Sequence, residues 1–250
     1  MAFHFIAIVS HYAGGKRIGW HYSNETRLDR EVIHEFLMKV KKKCGDVQLG
    51  IHKLSTDSVS WESVVNRDAF FADVFVTRDI ETFIKLVSED QALSAYDVAK
   101  FILSVMPSSH LKLQKLLYFV YAEFLLRTGE KLFKEPILAF RYGPVVESVF
   151  RKFKVHGSSV IDYKEDETIC MYTDDLAVTP SFMKIVSSEH GLIAIDCILK
   201  VFEKYGHLSA GELVDKTHKK GGPWDRVYEP GKNAVITDDL IIQYHQVIEY

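Results

Sequence analysis

The chain has 250 residues, of which 47% are apolar and 26% charged, with a formal net charge of −3. That balance belongs to a folded protein with a sizeable core, and it gives no support to a chain-wide affinity for nucleic acid. Three widely separated cysteines, Cys44, Cys170 and Cys197, with no CxxC or CxxH pair, give no indication of a disulfide framework or a zinc knuckle.

The N-terminal run MAFHFIAIVSH lacks a basic flank and is short, so it reads as a strand and not as a secretion signal. Ala13-Gly14-Gly15-Lys16 is a turn signal leading into a second strand over Ile18–Tyr22. Leu28–Lys43 repeats Leu28, Val32, Ile33, Phe36, Leu37 and Val40 at helical spacing. Lys39, Lys41, Lys42 and Lys43 crowd its last turn, where positive charge favours the helix dipole, and Gly45 supplies a stop. Val47–Leu54 and Phe70–Thr77 read as strands, and Asp79–Ser88 as a short amphipathic helix. The expectation is a small α+β module over residues 1–90 in ββαββα order.

From Ser94 the pattern is helical. Ser94 and Asp97 make a capping box opening a helix to about Val105, which Pro107 ends. Ser109 can cap the next helix, Leu111–Arg127, which stops at Gly129. This helix is apolar almost all round, with a narrow polar stripe of Lys112, Lys115, Glu123 and Arg127, so other helices should wrap it. Gln114 falls inside its apolar sector, where it either hydrogen-bonds internally or faces a partner. In RYGPVVESVFRKFKVHG, Gly143 turns the chain and Pro144 suits the first position of a helix that buries Val145, Val149, Phe150 and Phe153.

Asp162–Thr179 is an acidic excursion with room for one small hairpin. A long helix is expected over Glu189–Tyr205. A second capping box, Ser209 with Glu212, opens another, and Thr237 caps a final helix through Ile248. The fold class is therefore α+β, with a mainly helical domain over residues 91–250.

Motifs for chemistry are lacking. The histidines form no H-x-H or HExxH, the glycine pairs lack the remainder of a phosphate loop, and no G-x-S-x-G elbow occurs. No catalytic residue, metal or cofactor is expected. Tyr142-Gly143-Pro144 reads as a structural turn that also offers an exposed tyrosine. Trp224 reads as a loop anchor with His218 hydrogen-bonded nearby. The acidic residues Asp162, Glu165, Asp166, Glu167, Asp174 and Asp175 read as a solvated loop or as a surface meeting a basic partner.

SAYDVAKFILSV at 94–105, LKLQKLLYF at 111–119, FRYGPVVESVF at 140–150, LSAGELVDKTHKKGGPW at 208–224 and the tail at 236–244 occur in one order. Together they resemble the Panacea (SocA-like, phage-associated GepA-like) domain over residues 94–250. The resemblance implies a compact helical domain of a prokaryotic toxin–antitoxin system, which neutralises a cognate protein toxin by binding it directly. The toxin is commonly encoded by an adjacent gene. The scattered cysteines and the lack of an apolar stretch of membrane-spanning length point separately to a cytoplasmic protein with no membrane contact, and a homo-oligomer stays open. The positions matching the family's motifs, Gln114, Tyr142, Gly143, Pro144, His218 and Trp224, are nominated as fold or binding residues. Membership favours an internal hydrogen bond from Gln114 that fixes its helix against the RYGP turn. Two rival functions stand beside this one. One is a hydrolase or nucleotide-modifying enzyme with a pocket around His218 and Tyr142. The other is a DNA-binding regulator using Lys39–Lys43 and Arg151–Lys154, although no helix-turn-helix pattern supports it.

Overall fold

The computed structural model describes residues 1–11, 16–45, 47–163, 171–173 and 176–249. The chain divides into two compact units, Met1–Ala92 and Leu93–Tyr250.

The first unit is built on a four-stranded sheet of order β3-β1-β2-β4. Its strands are β1 (Ala2–His11), β2 (Lys16–Asn24), β3 (Gly50–Thr56) and β4 (Val74–Thr77). β1 runs antiparallel to β2 and β3, whereas β2 and β4 are parallel. Side chains alternate across β1, so the two faces carry separate cores. Phe5, Ala7 and Val9, with Ile18 and Trp20 of β2, pack on Phe36 and Val40 of α1 (Arg30–Cys44) and on Phe83, Ile84 and Val87 of α3 (Ile80–Gln91). Ile6 and Ile8 on the other face pack on Val64 of α2 (Trp61–Arg67), Phe71 and Val74.

Two details differ from the ββαββα expectation. Helix α2 has seven residues, too few for apolar periodicity to show, and is announced only by its Ser60 cap, which accepts from Ser63 N. The expected strand from Phe70 begins instead as a 3-10 turn, Ala69–Phe71. Asp68 caps it by accepting from Phe70 N at 2.8 Å, and extended structure is confined to Val74–Thr77.

The second unit surrounds α5 (His110–Thr128). That helix packs against α4 (Ala95–Val105), α6 (Glu147–Phe153), α8 (Gly191–Tyr205), α9 (Ala210–Thr217), α10 (Asp238–Tyr244) and strand β6 (Gly143–Val146). Local signals fix the ends of several of these helices. The capping boxes of Ser94 with Asp97 and Ser209 with Glu212 are both complete, and Ser109 and Thr237 cap α5 and α10. Gly129 closes α5 in the left-handed region at φ 75°.

Elsewhere tertiary partners override local signals. Lys115 does not join a polar stripe; it is fully buried. Pro144 does not open a helix. It lies in β6, which pairs antiparallel with β5 (Ile137–Phe140), and α6 starts three residues later at Glu147. The unexpected strand β5 is held on its other side by backbone bonds between Ala139 N and Ala234 O and between Ile236 N and Ile137 O, each 2.8 Å. In the acidic excursion, β7 (Met171–Thr173) and β8 (Leu176–Val178) form a small antiparallel hairpin. Residues 164–170 and 174–175, which carry five of its six acidic side chains, lie outside the described residues. Helix α7 (Pro180–Val186) was not expected; Thr179 caps it and Pro180 stands in its first turn. The final helix is broken at His245 into α10 and α11 (Gln246–Glu249). There the buried imidazole meets Tyr118 Oη at 3.1 Å. Among the described residues no helix is long and apolar enough to cross a membrane.

Candidate functional site

Three segments distant in sequence meet on β6. From α5, Gln114 Oε1 accepts the backbone N–H of Val146 at 2.7 Å, and Lys115 Nζ donates to the backbone carbonyl of Pro144 at 2.7 Å. Two consecutive side chains of one helix thus satisfy backbone groups two residues apart on one strand, which explains why this segment stays extended instead of starting a helix. At the turn, Gly143 has φ 100°, a conformation that disfavours any side chain. A Cβ there would also stand 2.7 Å from Thr217 Oγ1 and 2.8 Å from Lys115 Nζ. The end of α9 completes the cluster. The His218 imidazole stacks on the Trp224 indole with centroids 3.7 Å apart, and Trp224 stacks on Tyr228 at 4.3 Å. Trp224 Nε1 donates to Phe140 O at 2.8 Å, tying this loop to the β5–β6 hairpin.

The centre of the cluster combines one basic side chain with buried nitrogens that lack partners. Burial pushes the Lys115 ammonium down to about 7, because removing a charge from water penalises the protonated form. Burial also lowers His218 and His110, and the Lys115 charge adds to both effects. Three buried nitrogens in this region, Gln114 Nε2, His218 Nε2 and His110 Nδ1, have no hydrogen-bond partner among the described residues.

Five of the six nominated residues meet in the interior of this cluster, Gly143 among them. Gln114 is 1% exposed and bonded internally, Pro144 is buried, Trp224 is a loop anchor, and His218 stacks on it without a bond from Nε2. Tyr142 differs. It is 57% exposed at the hairpin tip, with the Arg141 guanidinium 5.4 Å from its ring centre. Sequence reasoning missed Lys115 and Thr217. A lysine beside a glutamine on an apolar helix was the available signal, but without knowledge of β6 it reads as a solvated side chain.

Features invoked by the rival functions are placed differently. Lys39 pairs with Glu35 at 2.9 Å and Arg151 with Glu147 at 2.6 Å. Clefts of about 390 and 300 Å³ are lined by other residues, including Phe119, Tyr205 and His245 in the first and Tyr121, Lys131 and Asp238 in the second. Among the described residues no three His, Cys, Asp or Glu side chains are grouped to hold a metal ion.

The family described as "Antitoxin SocA-like, Panacea domain" matches residues 113–225, within the second unit and across all three segments of the cluster. Antitoxin SocA of Caulobacter vibrioides (strain NA1000 / CB15N) is 30% identical over 154 residues, which cover 59% of this chain and 78% of that protein. No solved structure matches the chain. This chain belongs to the SocA-like antitoxin family of Panacea-domain proteins.

Proposed function

We propose that this protein is the antitoxin of a two-component system and neutralises a protein toxin by binding it directly, without catalysis of its own. The observation that carries this is the similarity to Antitoxin SocA over 78% of that protein. The buried placement of the motif residues fits the same view. Gln114, Lys115, Pro144 and Trp224 hold α5, the hairpin and the α9 loop together, so the motif serves a scaffold and leaves partner contacts to the surface. Tyr142 and Arg141 at the exposed hairpin tip supply an aromatic and a cation suited to such contacts. The first unit, with Phe70 and Phe75 exposed, adds to partner choice or self-association. The protein acts in the cytoplasm, and its toxin is encoded by the adjacent gene.

The test is co-expression of this chain, tagged, with the product of the adjacent open reading frame. The two should co-elute as one complex, and Tyr142→Ala with Arg141→Ala should weaken it at least tenfold while leaving the melting temperature unchanged. Separate elution of two folded proteins would contradict the proposal for that pair.

A further inference from the structure

The cluster around Lys115 holds more hydrogen-bond donors than its protein surroundings can use. A protonated Lys115 carries three N–H groups and gives one to Pro144 O. Gln114 uses its carbonyl on Val146, and both hydrogens of its amide nitrogen go without an acceptor. His218 Nε2 and His110 Nδ1 are buried and unpartnered as well. Thr217, which also abuts Gly143, commits its hydroxyl hydrogen to Val214 O at 2.9 Å. Among the described residues no carboxylate pairs with Lys115. Buried polar groups are almost always satisfied, and a buried cation with spare donors around it calls for an anion.

We propose that this cluster is a binding site for a single carboxylate, held by Lys115 Nζ, Gln114 Nε2 and His218 Nε2 under the Arg141–Tyr142 turn. Gln114 and Lys115 are 1% and 0% exposed, so the two inner donors are fixed by packing. His110 and His218 are each half-buried, with His218 Nε2 and His110 Nδ1 themselves buried. Charge selects the ligand. The site's one lysine supplies its formal positive charge, while burial and the neighbouring ammonium both disfavour protonation of the histidines, opposed at His218 by Asp215 and Asp225. A monoanion balances that charge, whereas a phosphate dianion would leave an uncompensated charge in a buried place. A carboxylate also presents two planar oxygens, enough to accept from the ammonium and from an amide or imidazole N–H together. Gly143 contributes by lacking a side chain, since a Cβ would press on the ammonium.

This goes beyond the antitoxin assignment and does not depend on it, because the site is tested on the isolated full chain. The experiment is an NMR titration of ¹⁵N-labelled protein at pH 6.5 and constant ionic strength, with sodium acetate as the probe and acetamide as its neutral counterpart. Acetate should shift the Gln114 amide and His218 ring signals along a saturable curve, and acetamide should not. Lys115→Met should weaken acetate at least tenfold. If that variant does not fold, the acetate–acetamide comparison on the unaltered protein decides alone. A pentaglycine peptide and its C-terminally amidated twin separate the two sources of the carboxylate. Competition by the free peptide alone assigns the site to a chain terminus, and no competition assigns it to a free small acid. Absence of a saturable acetate shift, or an equal one from acetamide, overturns the proposal.

Discussion

Lys115 Nζ lies 2.7 Å from the backbone carbonyl oxygen of Pro144, which joins the middle of the central helix to a strand that begins 28 residues later. The bond holds a buried ammonium against the strand, and stability should record this as pH changes. The ammonium titrates near 7 in the folded protein, against an ordinary value of 10.5. The folded value is the lower one, so between them the unfolded chain binds more protons and stability rises with pH. The contribution is at most about 1.4 kcal/mol per pH unit above 7. Urea unfolding of the unaltered protein and of Lys115→Met at pH 6.5, 7.5 and 8.5 should show the rise in the former and a flatter profile in the latter. Parallel profiles would show that Lys115 does not titrate in this range.

Gln114→Leu should act on stability before it acts on binding. The substitution fills similar space but leaves the buried Val146 N–H without its acceptor, at a cost of about 1–3 kcal/mol. Denaturant midpoints measure the loss, and affinity for the partner, measured where the variant is still folded, should change less than threefold. A collapse of affinity at unchanged stability would move the glutamine to the interface.

Gly143→Ala should be worse than a typical surface substitution. It forces a non-glycine residue to φ 100° and presses a methyl group on Thr217 Oγ1 and the Lys115 amine. Backbone strain alone is of order 1–3 kcal/mol. A melting temperature within a degree of the parent would contradict the close approach at this turn.

Acid should weaken the first unit through His4 and His21, whose ring nitrogens Nδ1 and Nε2 lie 2.8 Å apart in its core. Burial lowers both, His21 to about 4, with His4 and Arg78 adding to the effect on His21. Thr56, Ser58 and Trp61 complete the surroundings of the pair. Because the folded values lie below the ordinary 6.5, stability is intact above pH 6.5 and declines as pH falls toward 4. Fluorescence of Trp20 and Trp61 in a Trp224→Phe background should report this decline, and His21→Phe should flatten it. An unaltered acid profile in that variant would assign the decline to other groups.

What was legible in the sequence was local. Ser94 with Asp97, Ser209 with Glu212, Ser109, Thr237 and Gly129 each announce a helix end through a bond made within a few residues, and all five act as expected. The apolar sector alone left Gln114 open between an internal bond and a partner contact; the family resemblance favoured the internal bond, and its amide oxygen accepts from Val146 N. Lys115 and Pro144 were misplaced together and for one cause. Whether a proline opens a helix or sits in a strand depends on what satisfies the neighbouring backbone groups, and here that role falls to side chains from α5. The expected hydrogen bond of His218 gave way to stacking on Trp224, an arrangement visible only once the α9 loop folds back on the hairpin. Short elements such as α2 and β5 carry too few residues for a period to emerge.

The central claim, that this SocA-like protein neutralises a protein toxin, is tested most directly by growth. The adjacent open reading frame is expressed from one inducible promoter and this chain from another in the same cells. The neighbour alone should arrest growth, and co-expression of this chain should restore it. Equal arrest with and without this chain would contradict the account for that pair.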